Sequence, residues 1–169
     1  AYARARANVM LRNVAEAEQD YKTIYEASDR AGGLLALGIP AYRLPRAVLE
    51  RELELIFGMS IALELNTRAG ADVRFAALQQ RHDAVVVAAG AWTGERLAIA
   101  GGDAPGVLDA LTFLSAYNRG VAPAVGPRVV VVGGGDAAVD VARSARRLGA
   151  EEVTLVYRRG ADEMPASDD

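Results

Sequence analysis

From Arg128 to Tyr157 the chain reads RVVVVGGGDAAVDVARSARRLGAEEVTLVY, and no other stretch constrains the fold as strongly. Arg128 to Val132 predicts a strand, Gly133 to Gly135 a turn and Asp136 to Leu148 a helix. Gly149 reads as the helix C-terminal cap, and Val153 to Tyr157 as a second strand. A strand–helix–strand unit of this size makes its two strands parallel, because only a crossover connection can join parallel neighbours. The fold class is therefore α/β, with Rossmann-like parallel-sheet elements.

Within that unit, Gly133-x-Gly135-x-x-Ala138 follows a strand and opens a helix, which is the context a dinucleotide fingerprint requires. The first glycine permits the tight turn. Gly135 lets a pyrophosphate approach the backbone, and small Ala138 lets the helix pack on the strands. Free N–H groups and the dipole at the helix start favour the dianion. A tight turn without a ligand is the plainer alternative. At the end of the second strand, NAD would call for an acidic residue, but the sequence has Tyr157-Arg158-Arg159. Two guanidinium forks match a 2′-phosphate, so NADP is expected over NAD; a solvated basic strand end is the alternative. Asp136 is expected to cap its own helix or to contact the nicotinamide side, and Asp140 to pair with Arg143 one turn on.

Upstream, residues 1–20 lack glycine and proline, with Val9, Met10, Val14 and Ala15 as a thin helical stripe. Tyr21 to Ala27 reads as a strand, Ser28 to Gly33 as a turn, and Arg46 to Phe57 as an amphipathic helix between Pro45 and Gly58. Met59 to Leu65 is a further strand candidate. Ala84 to Ala89, closed by Gly90, suits a strand buried on both faces. Ala98 to Gly106 is a loop and the best internal boundary, and Val107 to Tyr117 is expected to be helical. Glu26 closes the first strand as an adenosine ribose would require, while Arg158 and Arg159 close the later one. That contrast points to two nucleotides, most simply FAD and NADP.

Several classes of function are excluded by composition. The 169 residues contain no cysteine, so a disulfide, a thiolate-held cluster and a redox CxxC are all ruled out within this sequence. A single histidine argues against a structural zinc site, and no metal site is expected. A formal charge of −3 gives no strong field toward nucleic acid or anionic membrane, and neither is expected as a partner. With no long apolar run and no signal pattern, a cytoplasmic location is expected. His82 reads as a solvated strand-entry residue and Trp92 as a packing residue. Ser115, Ser144 and Ser167 lack a nucleophile elbow. Glu50, Arg51, Glu52 and Glu54 read as the wet side of their helix, and Arg143, Arg146 and Arg147 as a basic face without interleaved aromatics.

The run Gly32-Gly33-Leu34-Leu35, then Gly38 to Arg46 (GIPAYRLPR), Asn66-Thr67, Asp83 to Ala91, Gly101 to Val107, the triple glycine and Tyr157 through Ala166 keeps one order along the chain. In that order it resembles the glutamate synthase small (beta) subunit, over roughly residues 21 to 166, and the N-terminal flavin portion of dihydropyrimidine dehydrogenase is similar. The resemblance implies a two-dinucleotide-binding flavoprotein fold and an NADPH-dependent flavin oxidoreductase that passes electrons through FAD to a large-subunit or other electron-accepting module. It implies that Glu26 holds the FAD ribose, that Gly32, Gly33 and Leu34 lie against the cofactor, and that Arg43 contacts the flavin. It gives Ala69 a backbone contact on the adenine side and puts Gly90 where the chain leaves the FAD domain. Gly133, Gly134, Gly135, Asp136 and Ala137 match the NADPH pyrophosphate turn, and Arg158 and Arg159 the 2′-phosphate clamp. No catalytic residue is assigned, since the cofactors carry the chemistry. Residues 1–100 are expected to be a partial FAD domain, and 101–169 a linker helix with the start of an NADP domain.

The sequence departs from the family pattern before Glu26, where no glycine turn stands, and the family's cysteine-rich region is absent. The chain therefore reads as an interior fragment. The competing reading is a nucleotide-binding fragment of such a reductase without turnover.

Overall fold

The computed structural model describes residues 23–59, 61–94, 97–121 and 123–167. The helix expected within residues 1–20 lies outside them. Two compact units emerge: residues 46–90 with the N-terminal part through Gly33, and residues 34–45 together with 91–169.

In the first unit, β1 (Thr23–Tyr25) pairs in parallel with β2 (Ala62–Glu64), in the register Thr23 to Ala62 and Tyr25 to Glu64. Glu26 N–H donates to the Glu64 carbonyl at 2.9 Å and continues the ladder by one residue. The amphipathic helix forms at Arg46–Phe57, within the expected bounds, with Leu49 buried and Glu50, Arg51 and Glu54 exposed. A short helix at Phe75–Arg81, anchored by buried Leu78, escapes the sequence pattern because it spans only seven residues. The strand expected at 84–89 does not form. No ladder partner meets it among the described residues, and Val86 and Val87 are 67% and 72% exposed rather than buried on both faces. A strand needs its backbone N–H and C=O groups paired by a neighbour, and apolarity alone does not provide one.

The second unit is built on the predicted βαβ. With α1 (Gly33–Leu37), α2 (Arg46–Phe57) and α3 (Phe75–Arg81) counted from the chain start, α4 spans Ala110–Asn118 and α5 spans Asp136–Arg147. Strand β3 (Arg128–Val132) runs parallel to β4 (Glu152–Val156), Arg128 opposite Glu152 and Val132 opposite Val156. Because side chains alternate along a strand, Val129 and Val131 turn inward while Val130 and Val132 stay exposed. Phe113 and Leu114 of α4 and Ala145 of α5 form the core with Ala150, flanked by Val129, Val141, Leu148 and Val153. The crossover helix ends at Gly149 as expected. Gly149 has φ 101°, its N–H donates to the Arg146 carbonyl, and Ala150 N–H donates to that of Ala145. Those two bonds are a Schellman motif, which satisfies carbonyls the helix itself leaves unpaired.

Helix α4 starts three residues later than expected. Asp109 takes an extended conformation and accepts from Thr112 N–H at 3.0 Å and from the Thr112 hydroxyl, so the cap fixes the start and leaves Val107 and Leu108 outside. No helix among the described residues is long and apolar enough to cross a membrane.

Burial alone would push the Asp109 carboxyl up, but the Thr112 hydroxyl and backbone N–H donors outweigh it and hold it below the ordinary carboxylate range. A depressed folded-state pKa means that this stabilisation is complete above the ordinary value and disappears as pH falls through the folded one. Asp109→Ala is expected to lower stability by about 1 kcal/mol near neutral pH. Urea unfolding at a series of pH values should show that deficit shrinking below about pH 4.

Candidate functional site

The turn between β3 and α5 holds three consecutive glycines, and each occupies a different environment. Gly133 has φ 148°, and a Cβ built there would lie 3.0 Å from that of Ala138. It is glycine because the helix packs so closely on the strand end, and Ala138 is buried there as the fingerprint anticipates. Gly134 has no side chain because the Tyr157 ring occupies the space, with ring carbons 2.6–2.8 Å from a notional Cβ. Gly135 has φ −93° and meets nothing within 4 Å. Neither conformation nor packing among the described residues explains it.

Gly135 is the N-cap of α5, and its carbonyl receives Ala138 N–H at 2.9 Å and Val139 N–H at 3.2 Å. The first residues of the helix have N–H groups that no helical carbonyl can reach. Open space at Gly135, together with these donors and the dipole of a twelve-residue helix, fits an oxyanion. Arg158 and Arg159, both exposed, follow the end of β4 in the same unit.

Of the two roles expected for Asp136, capping its own helix is not realised, since the N-cap position belongs to Gly135. Its Oδ1 accepts from Ser167 N–H at 3.0 Å and from Ser167 Oγ at 2.7 Å, with Arg43 Nη1 at 3.5 Å. Ser167, and then Arg43, hold the Asp136 carboxyl below its usual range. The Ser167 contact is the end of a strap. Ala166 N–H donates to the Gly134 carbonyl at 3.1 Å, so the end of the Met164-Pro165-Ala166 stretch is tied to the glycine turn. Nothing in the sequence pattern points to the Ser167–Asp136 contact, which closes over 31 positions.

Asp140 departs from expectation as well. It is buried in mid-helix, and its Oδ2 accepts from Arg43 Nη1 at 3.2 Å, a partner from outside its own helix. Its Oδ1 is buried without a hydrogen bond. The hydrogen bond to Asp140 raises the Arg43 guanidinium above its ordinary value. Beside it, Tyr42 donates to the Asp140 carbonyl and shares a hydrogen bond with fully buried Ser144. The Arg147 guanidinium lies 3.8 Å and that of Arg143 5.0 Å from the centre of the Tyr42 ring. The basic face of α5 therefore does carry an aromatic. It arrives from a segment about a hundred residues earlier, and helical spacing cannot reveal it.

In the first unit, Glu26 Oε1 accepts from Ser28 N–H at 2.7 Å at the end of β1. Gly32, Gly33 and Gly90 all have positive φ, at 106°, 52° and 74°. Ala69 forms a lone parallel bridge with Val73. His82 is not solvated as expected: its ring meets Tyr25 edge-to-face at 6.2 Å, and its Nε2 is buried without a hydrogen bond. Trp92 remains 43% exposed, which does not suit a packing role. The residues that the resemblance assigns to FAD divide between the units, Glu26, Gly32, Gly33, Ala69 and Gly90 in the first and Leu34 and Arg43 in the second.

A family model for pyridine nucleotide-disulphide oxidoreductases matches residues 12–166. The chain belongs to this family. Among curated members, it is 47% identical over 154 residues to the NADP(+)-dependent formate dehydrogenase subunit beta of Moorella thermoacetica, covering 89% of this chain and 22% of that one. It is 38% identical over 172 residues to the glutamate synthase [NADPH] small chain of Escherichia coli, covering 95% and 35%. Among solved structures, FprA of Mycobacterium tuberculosis in complex with NADPH superposes with a TM-score of 0.75 at 28% identity, covering 86% of this chain and 38% of that one. The chain thus spans well under half the length of each of these relatives. The family and this structural likeness show the fold expected of the sequence, α/β with parallel Rossmann-like elements as in two-dinucleotide-binding flavoproteins.

The Arg43–Asp140 contact makes a direct prediction. Arg43→Met leaves a buried carboxylate without its donor and is expected to cost about 1–3 kcal/mol. Adding Asp140→Asn should recover part of that loss, as a double-mutant cycle in urea would measure.

Proposed function

We propose that this chain supplies an NADP(H) site and part of an FAD site in an NADPH-dependent flavin oxidoreductase that passes electrons to a partner module. The observation that carries the reading is Gly135, whose missing side chain leaves space at a helix N-terminus that no other described residue fills. In this reading the pyrophosphate seats on the backbone N–H groups of Gly135, Asp136 and Ala137. Arg158 and Arg159 take the 2′-phosphate, a role that their exposure at the strand end permits. The Asp136 carboxylate, engaged by Ser167 and Arg43, is turned to a use that limits its repulsion of a phosphate. By the resemblance, Glu26, Gly32, Gly33, Ala69 and Gly90 of the first unit are assigned to FAD, and so, within the second unit, are Leu34 and Arg43. Residues 1–100 then form the FAD portion, and 101–169 the start of the NADP portion.

When bound, the nicotinamide and flavin supply the hydride and electron chemistry themselves. The protein's share is to bind and orient. NADP over NAD is further supported by the names of its relatives, a formate dehydrogenase subunit that is NADP(+)-dependent and a glutamate synthase chain designated NADPH. Both are named as parts of larger enzymes, which supports an electron-accepting partner.

A second reading, nucleotide binding without turnover, is favoured by one feature: residues 1–25 of this sequence include no glycine, the residue that a phosphate turn ahead of Glu26 calls for. NADPH-dependent reduction of an artificial acceptor in the presence of FAD separates the two. Activity contradicts the binding-only reading, and its absence from a chain that binds NADPH contradicts turnover.

Gly135→Ala tests the site itself. Its φ is accessible to alanine and its surroundings are open, so thermal stability should hold within about 0.5 kcal/mol. NADP+ affinity by calorimetry should nonetheless fall at least about tenfold, because the methyl enters the space through which the pyrophosphate approaches. Unchanged affinity would contradict the proposed site.

A further inference from the structure

Tyr157 is left over once the phosphate turn and the arginine pair have been assigned. Its ring lies against Gly134, the middle residue of the turn. Its hydroxyl accepts from Arg159 Nε at 2.9 Å and also from Arg159 Nη2, and donates to the Glu163 carbonyl at 3.3 Å. The Arg159 guanidinium sits 5.4 Å from the ring centre. Glu163 is itself fixed in a closed turn, its N–H donating to the Gly160 carbonyl at 3.1 Å and its Oε2 accepting from Gly160 N–H at 3.2 Å.

We infer that Tyr157 is the positioning residue that fixes Arg159 for the 2′-phosphate and so sets the preference for NADP over NAD. The inference rests on the nucleotide site proposed above and adds to it a specificity-determining group. An exposed arginine at a strand end samples many rotamers, and each must be given up when a phosphate binds. The Tyr157 oxygen engages one edge of the guanidinium fork, Nε with Nη2, and leaves the Nη1 side for an incoming oxyanion. The same ring abuts Gly134, so the clamp for the 2′-phosphate is held in register with the turn for the pyrophosphate. Two parts of one ligand are thereby matched by one side chain.

The test is calorimetry with the full chain, comparing NADP+ and NAD+ for wild type, Tyr157→Phe and Arg159→Ala. Phenylalanine keeps the ring beside Gly134 and removes only the hydroxyl, so circular dichroism should be unchanged. For Tyr157→Phe, the NADP+ dissociation constant is expected to rise about five- to tenfold, the upper part of the range of an ordinary net hydrogen bond, with NAD+ affinity unmoved. Equal losses for both nucleotides would overturn the inference, since a merely structural role predicts them. An unchanged or tighter NADP+ constant would overturn it as well. If Arg159→Ala abolishes the preference while Tyr157→Phe does not, the nucleotide site stands and the inference alone fails. If the wild type shows no preference for NADP+ and Arg159→Ala has no effect, the clamp assignment and the inference fall together.

Discussion

Close approach at the end of β3 is the constraint on which the second unit depends. The chain turns from β3 to α5 within three residues, Gly133 to Gly135. Helix α5 then comes so near that a Cβ at Gly133 would lie 3.0 Å from that of Ala138, tighter than an ordinary contact, at a φ of 148° that side chains rarely adopt. Once the helix is held there, its buried face can bring Ala145 onto Phe113 and Leu114, and its N-terminus projects from the strand end. A bulkier residue at position 138 would push the helix off the sheet and carry both the core and the helix start with it.

That helix start is crowded with charge, and the charges are arranged for one another. Asp136 is placed where the helix dipole favours a carboxylate, yet it belongs to the proposed pyrophosphate seat. Ser167 and Arg43 engage it, and Arg43 in turn is fixed by buried Asp140. A side chain that the family resemblance assigns to flavin therefore also works as an internal counter-ion. The strap through Ala166 and Ser167 joins this network to the carbonyl of Gly134, so the turn is restrained from two sides.

The βαβ unit is legible in the sequence because each of its signals is local: a β-branched run, glycines at fixed offsets, and a helical pattern closed by Gly149. The amphipathic helix after Pro45 is legible for the same reason. The apolar run from Ala84 to Ala89 misleads, since pairing is a property of neighbours and no periodicity within the run reports whether one is present. The start of α4 differs from the pattern because a capping aspartate overrides two apolar residues ahead of it. What joins Arg43 to Asp140, Tyr42 to Arg147, and Ser167 to Asp136 is contact over long separations, and no single-sequence pattern encodes it. In the candidate site, the glycines and arginines can be read directly, whereas the part played by Tyr157 cannot. Its bearing on both Gly134 and Arg159 exists only once β4 lies beside β3.

A dinucleotide pyrophosphate seated on the N-terminus of α5, as proposed, would sit against the backbone amides around Gly135. Titrating NADP+ into the 15N-labelled full chain and following backbone amides tests it most directly. The largest shifts are expected on Gly134, Gly135, Asp136 and Ala137, with the Arg159 side-chain resonance moving in step. Saturable shifts that leave those amides untouched, or no shifts at all, would contradict it.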